Sequence, residues 1–149
     1  MPESYRPKVV LAFDFGRRRI GVACGDSVSR SASALETVPA NLNGPRWDLI
    51  ASMLQVWQPD MAVVGLPYNV DGSDSAQTLA ARGFAAELAR RYSLEVVLVD
   101  ERYSSLEAEA RLKSARESGL RRRVAKSDVD AAAASVILER WFTEKTGSS

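Results

Sequence analysis

The chain has 149 residues, 46% of them hydrophobic, with 20 Lys and Arg against 19 Asp and Glu, a net charge of +1, one cysteine (Cys24) and no histidine. That length suits a single domain over 1–149, with an ordered core at about 8–143 and short polar ends. The missing histidine excludes Ser-His and Cys-His nucleophiles, His-ligated zinc and His general bases, and a lone cysteine excludes an internal disulfide or a thiolate zinc cluster, leaving carboxylates, Lys/Arg, hydroxyls and oxygen-bound divalent metal.

Residues 1–7 (MPESYRP) are polar and read as a frayed end. VVLAFDF and IGVACG, joined by the short GRRR connection, read as a β-hairpin, and SALETV at 33–38 as a third strand completing a meander. WDLIASMLQVW spaces Trp47, Ile50, Leu54 and Trp57 helically, and Pro59 stops that helix. MAVVGL at 61–66 has the length and apolarity of a buried strand. GLPYNVDGS follows as a turn, with Ser73 or Asp74 expected to cap the Ala-rich helix at 75–92.

LEVVLVDE at 94–101 predicts a fifth strand, and SLEAEARLKSAR at 105–116 a helix capped at Ser104-Ser105 and ended by Gly119. A last helix is expected over 128–142, with Ser127 or Asp128 as N-cap and Val136, Ile137 and Trp141 facing a core. The order βββαβαβα predicts a three-layer α/β domain on a mixed five-stranded sheet. The sequence holds no apolar run of membrane-spanning length and no charged leader, which predicts a soluble cytoplasmic protein.

Three carboxylates stand out by position: Asp14 inside the first strand, Glu101 at the end of the fifth, and Asp130 one turn into the last helix. Asp14 is the most telling, because Leu11, Phe13 and Phe15 offer a buried carboxylate no polar partner, and such a group needs a cation or several donors. Glu101 could instead pair with Arg102, and Asp130 could simply favour the positive end of its helix. Carboxylates without His or Cys are the ligand set for Mg²⁺ or Mn²⁺. Two such ions about 3.5–4 Å apart promote phosphodiester hydrolysis.

Two basic stretches fit a phosphate-bearing partner. One is Arg17, Arg18 and Arg19; the other is 111–126, which sets seven Arg/Lys against the single acid Glu117 and includes Arg121, Arg122, Arg123 and Lys126. Either could also be a solvated loop. Asn69 and Arg102 complete the candidate nucleic-acid contacts. Asp26 reads as a turn residue that closes the second strand.

Four blocks in order, DFGRRRIGVACGD (14–26), VVGLPYNVDGS (63–73), DERYSSLEAE (100–109) and VDAAAASVILERWF (129–142), resemble the YqgF or RuvX proteins. These are known as pre-16S rRNA nucleases and Holliday-junction-resolvase-like proteins with a ribonuclease H-like fold. The resemblance implies that Asp14, Glu101 and Asp130 are both the catalytic carboxylates and the metal ligands, with Asp128 as a cap. It also implies a metal-dependent hydrolase of nucleic acid, most directly in 5′-end processing of pre-16S rRNA in the cytoplasm.

Branched DNA is the alternative substrate, and a monomer or a homodimer the alternative assemblies. A non-catalytic RNA-binding factor for ribosome assembly is the rival of another class. An actin-like ATPase ranks lower, since such folds enclose nucleotide between two domains and no P-loop is present.

Overall fold

Gly16 follows the first apolar run directly, and a Cβ there would stand 2.6 Å from the Arg19 carbonyl oxygen, so the chain reverses tightly only because a glycine occupies the turn. In the computed structural model, which describes residues 8–16, 18–41, 43–69, 71–101 and 126–147, this turn joins β1 (Val9–Phe15) to β2 (Arg19–Asp26) as the expected hairpin. The other elements are β3 (Ala32–Asn41), β4 (Gly44–Pro45), α1 (Trp47–Trp57), β5 (Met61–Leu66), α2 (Ala76–Tyr92), β6 (Glu95–Asp100) and α3 (Lys126–Gly147). The helix expected at 105–116, with Gly119 beyond it, lies outside the described residues.

The strands form one mixed sheet in the order β4-β3-β2-β1-β5-β6. β1 is the hinge of that order, antiparallel to β2 and parallel to β5, while β5 and β6 pair in parallel. Among the described residues six strands replace the expected five, because Asn41 turns back through Gly44 onto Pro45, a two-residue pairing with no periodicity for a sequence to show.

Alternation in the central strands sorts side chains to two faces. Leu11, Phe13, Ala62 and Val64 pack with Ile50 and Met53 of α1 and Phe84, Ala85 and Leu88 of α2. Val10, Ala12, Met61, Val63 and Val99 pack with Ile137, Leu138 and Phe142 of α3. The result is the expected three-layer α/β arrangement.

Helix ends differ from expectation in two places. The N-cap of α2 is Ser75, not Ser73 or Asp74: its hydroxyl accepts from the Thr78 amide while the Thr78 side chain accepts from the Ser75 amide. This reciprocal capping box satisfies two orphan donors at once, which Ser73 and Asp74 are too far upstream to do. Helix α3 already includes Lys126 and runs to Gly147, so Ser127 and Asp128 lie in its first turn instead of capping it. An acidic residue there is favoured by the helix dipole all the same.

Candidate active site

The site is set by which strands end together. β1, β5 and β6 are mutually parallel in sequence, so their C-terminal residues Asp14, Leu66 and Asp100 gather at one end of the sheet, where the Arg18–Arg19 turn also sits. Chemistry in open α/β sheets collects at such ends. Asp14 is half-buried, and Glu101, the residue after β6, is only 7% exposed.

Glu101 reaches this position because its backbone amide donates to the Leu66 carbonyl at 3.1 Å, extending the β5–β6 ladder by one residue. From helix α3, Arg140 Nη1 donates to the Asp100 carbonyl at 2.9 Å and so fixes the peptide that precedes Glu101. The Glu101 carboxyl then turns inward and shares a hydrogen bond with Asp14. Arg102, an alternative partner for it in the sequence, lies outside the described residues.

Two carboxylates in contact in a buried place cannot both stay ionised. Burial, then the Asp14 charge and the hydrogen bond to Asp14, push the Glu101 carboxyl up to about 10, against the opposing pull of Arg140. The pair is therefore stable in one of two forms, sharing a proton or sharing a cation. The donor set is all carboxylate oxygen, which fits Mg²⁺ or Mn²⁺ and no softer ion.

Asp130 stands on α3, and nothing beyond its backbone is described. The helix passes Gly25 with Phe142 and Gly65 with Ile137, and Gly25 pairs with Val10 at the far end of β1 while Gly65 adjoins the Asp14 end. The direction from residue 142 to 137 thus runs toward the carboxylate end. At about 1.5 Å per residue, the first turns of the helix continue that way by about 10 Å.

Of the candidate nucleic-acid contacts, Arg18 is exposed and Arg19 half-buried on the turn beside the site. Arg17, Arg121, Arg122 and Arg123 lie outside the described residues, and of Lys126 only its place at the start of α3 is described. The Asn69 amide is committed to its own loop, donating to Ser73 Oγ at 3.0 Å and the Asp74 carbonyl at 3.4 Å. Ser75 and Thr78 both donate to the Pro67 carbonyl, at 3.2 and 2.8 Å, and tie this loop to the start of α2. Asp26 is the expected turn residue, accepting from the amides of Val28 and Ser29 at 2.9 and 2.8 Å.

Arg140 was not foreseen: it is ten residues beyond Asp130 on a helix that carries several other charges, and no pattern in the sequence distinguishes it. Gly65 was not foreseen either. There the signal existed, since an isolated glycine within a buried strand marks close approach by another group.

Residues 8–144 match the model of the RuvX family, described as Holliday junction resolvase. A protein of Yersinia enterocolitica named putative pre-16S rRNA nuclease is 44% identical over 140 residues, spanning 94% of this chain and 98% of its own length. Proteins of the same name from Edwardsiella ictaluri and Nitrosococcus oceani are 46% and 43% identical, covering 91% and 97% of this chain and 95% and 92% of their own. Among solved structures, Thermus thermophilus RuvC in complex with a Holliday junction substrate superposes with a TM-score of 0.56 at 19% identity, covering 95% of this chain and 98% of RuvC. Fowlpox virus resolvase with its junction DNA gives 0.56 at 11% identity, over 92% of this chain and 98% of that one. At those identities the likeness is one of fold, the ribonuclease H-like fold expected from the sequence.

Proposed function

The chain belongs to the RuvX family, and from that premise we propose that it is a nuclease that hydrolyses phosphodiester bonds during maturation of the 5′ end of pre-16S rRNA. The observation that carries this reading is the contact between the Glu101 and Asp14 carboxyls at the shared end of three parallel strands. The names of the relatives at 43–46% identity supply the substrate. Among the described residues no helix is long and apolar enough to cross a membrane, which is compatible with action in the cytoplasm, where precursor rRNA is processed. The matched span, residues 8–144, serves as one nuclease domain.

Asp14 and Glu101 would hold a divalent cation, with Asp130 brought from the start of α3 as a third ligand. When bound, such an ion activates water for attack and stabilises the leaving oxygen. The protein's own part is positional. β1 and the end of β6 fix two carboxylates at one end of the sheet, Arg140 restrains the Glu101 peptide, and burial beside Ile137 of α3 shields the Glu101 carboxyl while Asp14 stays partly open to solvent. Arg18 on the adjoining turn, and the arginines at 121–123, would hold backbone phosphates, which are bound mainly by Lys and Arg.

The test is cleavage of a precursor 16S rRNA fragment and of a four-way DNA junction, each with Mn²⁺, Mg²⁺ or EDTA. Metal-dependent cleavage of the RNA, abolished in Asp14→Asn with binding retained, is the expected outcome. Binding without cleavage under every metal condition would leave an RNA-binding assembly factor instead. Preferential cutting of the junction by a twofold dimer would move the substrate to branched DNA, the activity in the family's description.

A further inference from the structure

The two carboxylates that meet come from strands that do not touch. β5 lies between β1 and β6, and each strand spacing is about 4.8 Å, so the β1 and β6 backbones are roughly 10 Å apart. Beyond the paired Phe13 and Val64, the next residues on β1 and β5 are Asp14 and Gly65, and Gly65 in turn pairs with Val99. By alternation, Asp14, Gly65, Val99 and Glu101 all face α3. Glu101 can therefore reach Asp14 only by crossing over the β5 backbone at Gly65.

The available space there is what a side chain would take. A Cβ on Gly65 would stand 2.9 Å from both Cδ and Oε2 of Glu101 and 2.5 Å from Cδ1 of Ile137. From this we infer that Gly65 is a positioning residue of the active site: its missing side chain is the seat in which the Glu101 carboxyl rests against Asp14. The inference builds on the reading of that pair as metal ligands.

Both obstructing groups are ends of flexible side chains, not backbone. A methyl group at 65 can be accommodated by turning Glu101 and Ile137 aside, so the strand survives while the carboxyl leaves its place. Ile137 belongs to the core under α3 and Glu101 does not, which allows the two displacements to be separated.

The experiment compares the unmodified protein with Gly65→Ala, the double variant G65A/I137V and Glu101→Gln. Mn²⁺ affinity is read by calorimetry and thermal stability in EDTA. Gly65→Ala is expected to remain folded and to bind Mn²⁺ about 10–100-fold more weakly, the loss typical when the groups that support a metal ligand are disturbed. Shortening Ile137 should restore part of any lost stability but none of the lost Mn²⁺ affinity. Unchanged Mn²⁺ affinity in G65A while Glu101→Gln loses it would overturn the role of Gly65, as would recovery of affinity on shortening Ile137. If Glu101→Gln binds Mn²⁺ as tightly as the unmodified protein, it is the metal-ligand reading of the pair that fails.

Discussion

Replacing Glu101 by Gln should stabilise the metal-free protein, against the usual expectation for a change at a buried site. Glu101 is raised from 4.5 to about 10, chiefly by burial and next by Asp14. A carboxyl whose pKa is higher folded than unfolded contributes stability fully below its unfolded value, and loses that contribution as pH rises toward the folded value. The window is therefore about pH 4.5 to 10. At about pH 7.5 the folded chain must hold a proton that the unfolded chain has released, at a cost of about 1.4 kcal/mol for each pH unit above the ordinary value. Over about three units this comes to about 4 kcal/mol, an upper figure because the proton is shared with Asp14.

Glutamine imitates the protonated acid in size and can still donate to Asp14, but it carries no such penalty. In EDTA, Glu101→Gln should match the parent near pH 4.5 and exceed it at pH 7.5 by up to about 4 kcal/mol, or very roughly 8–16 °C at about 2–4 °C per kcal/mol. Denaturant titrations at the two pH values measure it. A variant no more stable than the parent at pH 7.5 would refute the burial and charge crowding inferred for Glu101. Mn²⁺ should narrow the gap and then close it, since a ligand adds about 2.7 kcal/mol to the protein that binds it at about a hundredfold over its dissociation constant and about 4.1 kcal/mol at about a thousandfold.

The same proton makes Mn²⁺ affinity rise with pH, by up to tenfold per unit below the pKa of the pair, and calorimetry in buffers of different ionisation enthalpy should count about one proton released; a pH-independent affinity would mean the pair is already ionised. Thr78→Val removes a buried hydroxyl that serves both the Ser75 cap and the Pro67 carbonyl, and should cost about 1–3 kcal/mol in urea unfolding. Arg18→Ala should lower RNA affinity and reduce the salt slope by about 1, with no change in Mn²⁺ binding. An unaltered slope would return Arg18 to the solvent.

The layered architecture was legible because the central strands are apolar on both faces and bounded by turn residues, as in MAVVGL between Asp60 and Pro67. Asp14 was legible as an anomaly, a charge where the pattern demanded none. Its partnership with Glu101 was expected from their strand-end positions and the family resemblance, but the direct carboxyl contact was not, because 87 positions separate them in the chain and only the strand order brings them to one sheet end. β4 was missed since two residues carry no period. The α2 cap was misassigned by one or two residues because Ser73, Asp74 and Ser75 are all competent caps, and it is the reply from Thr78 that selects Ser75. Gly65 carried a signal but no visible object, since what crosses it comes from another strand.

Helix α3 has an implication for how the molecule is made. It is the last described element in sequence, yet it covers the face of the sheet on which Asp14 and Glu101 meet, with Ile137 and Leu138 against Val10, Ala12 and Val63. During synthesis, all six described strands precede the helix that seals them. Among the described residues only 126–147 cover that face, and before they are made Arg140 is not there to restrain the peptide before Glu101. A nascent chain thus holds two of its acidic groups long before it can hold them in place, and a truncated product would be a sticky sheet, not a cutting enzyme.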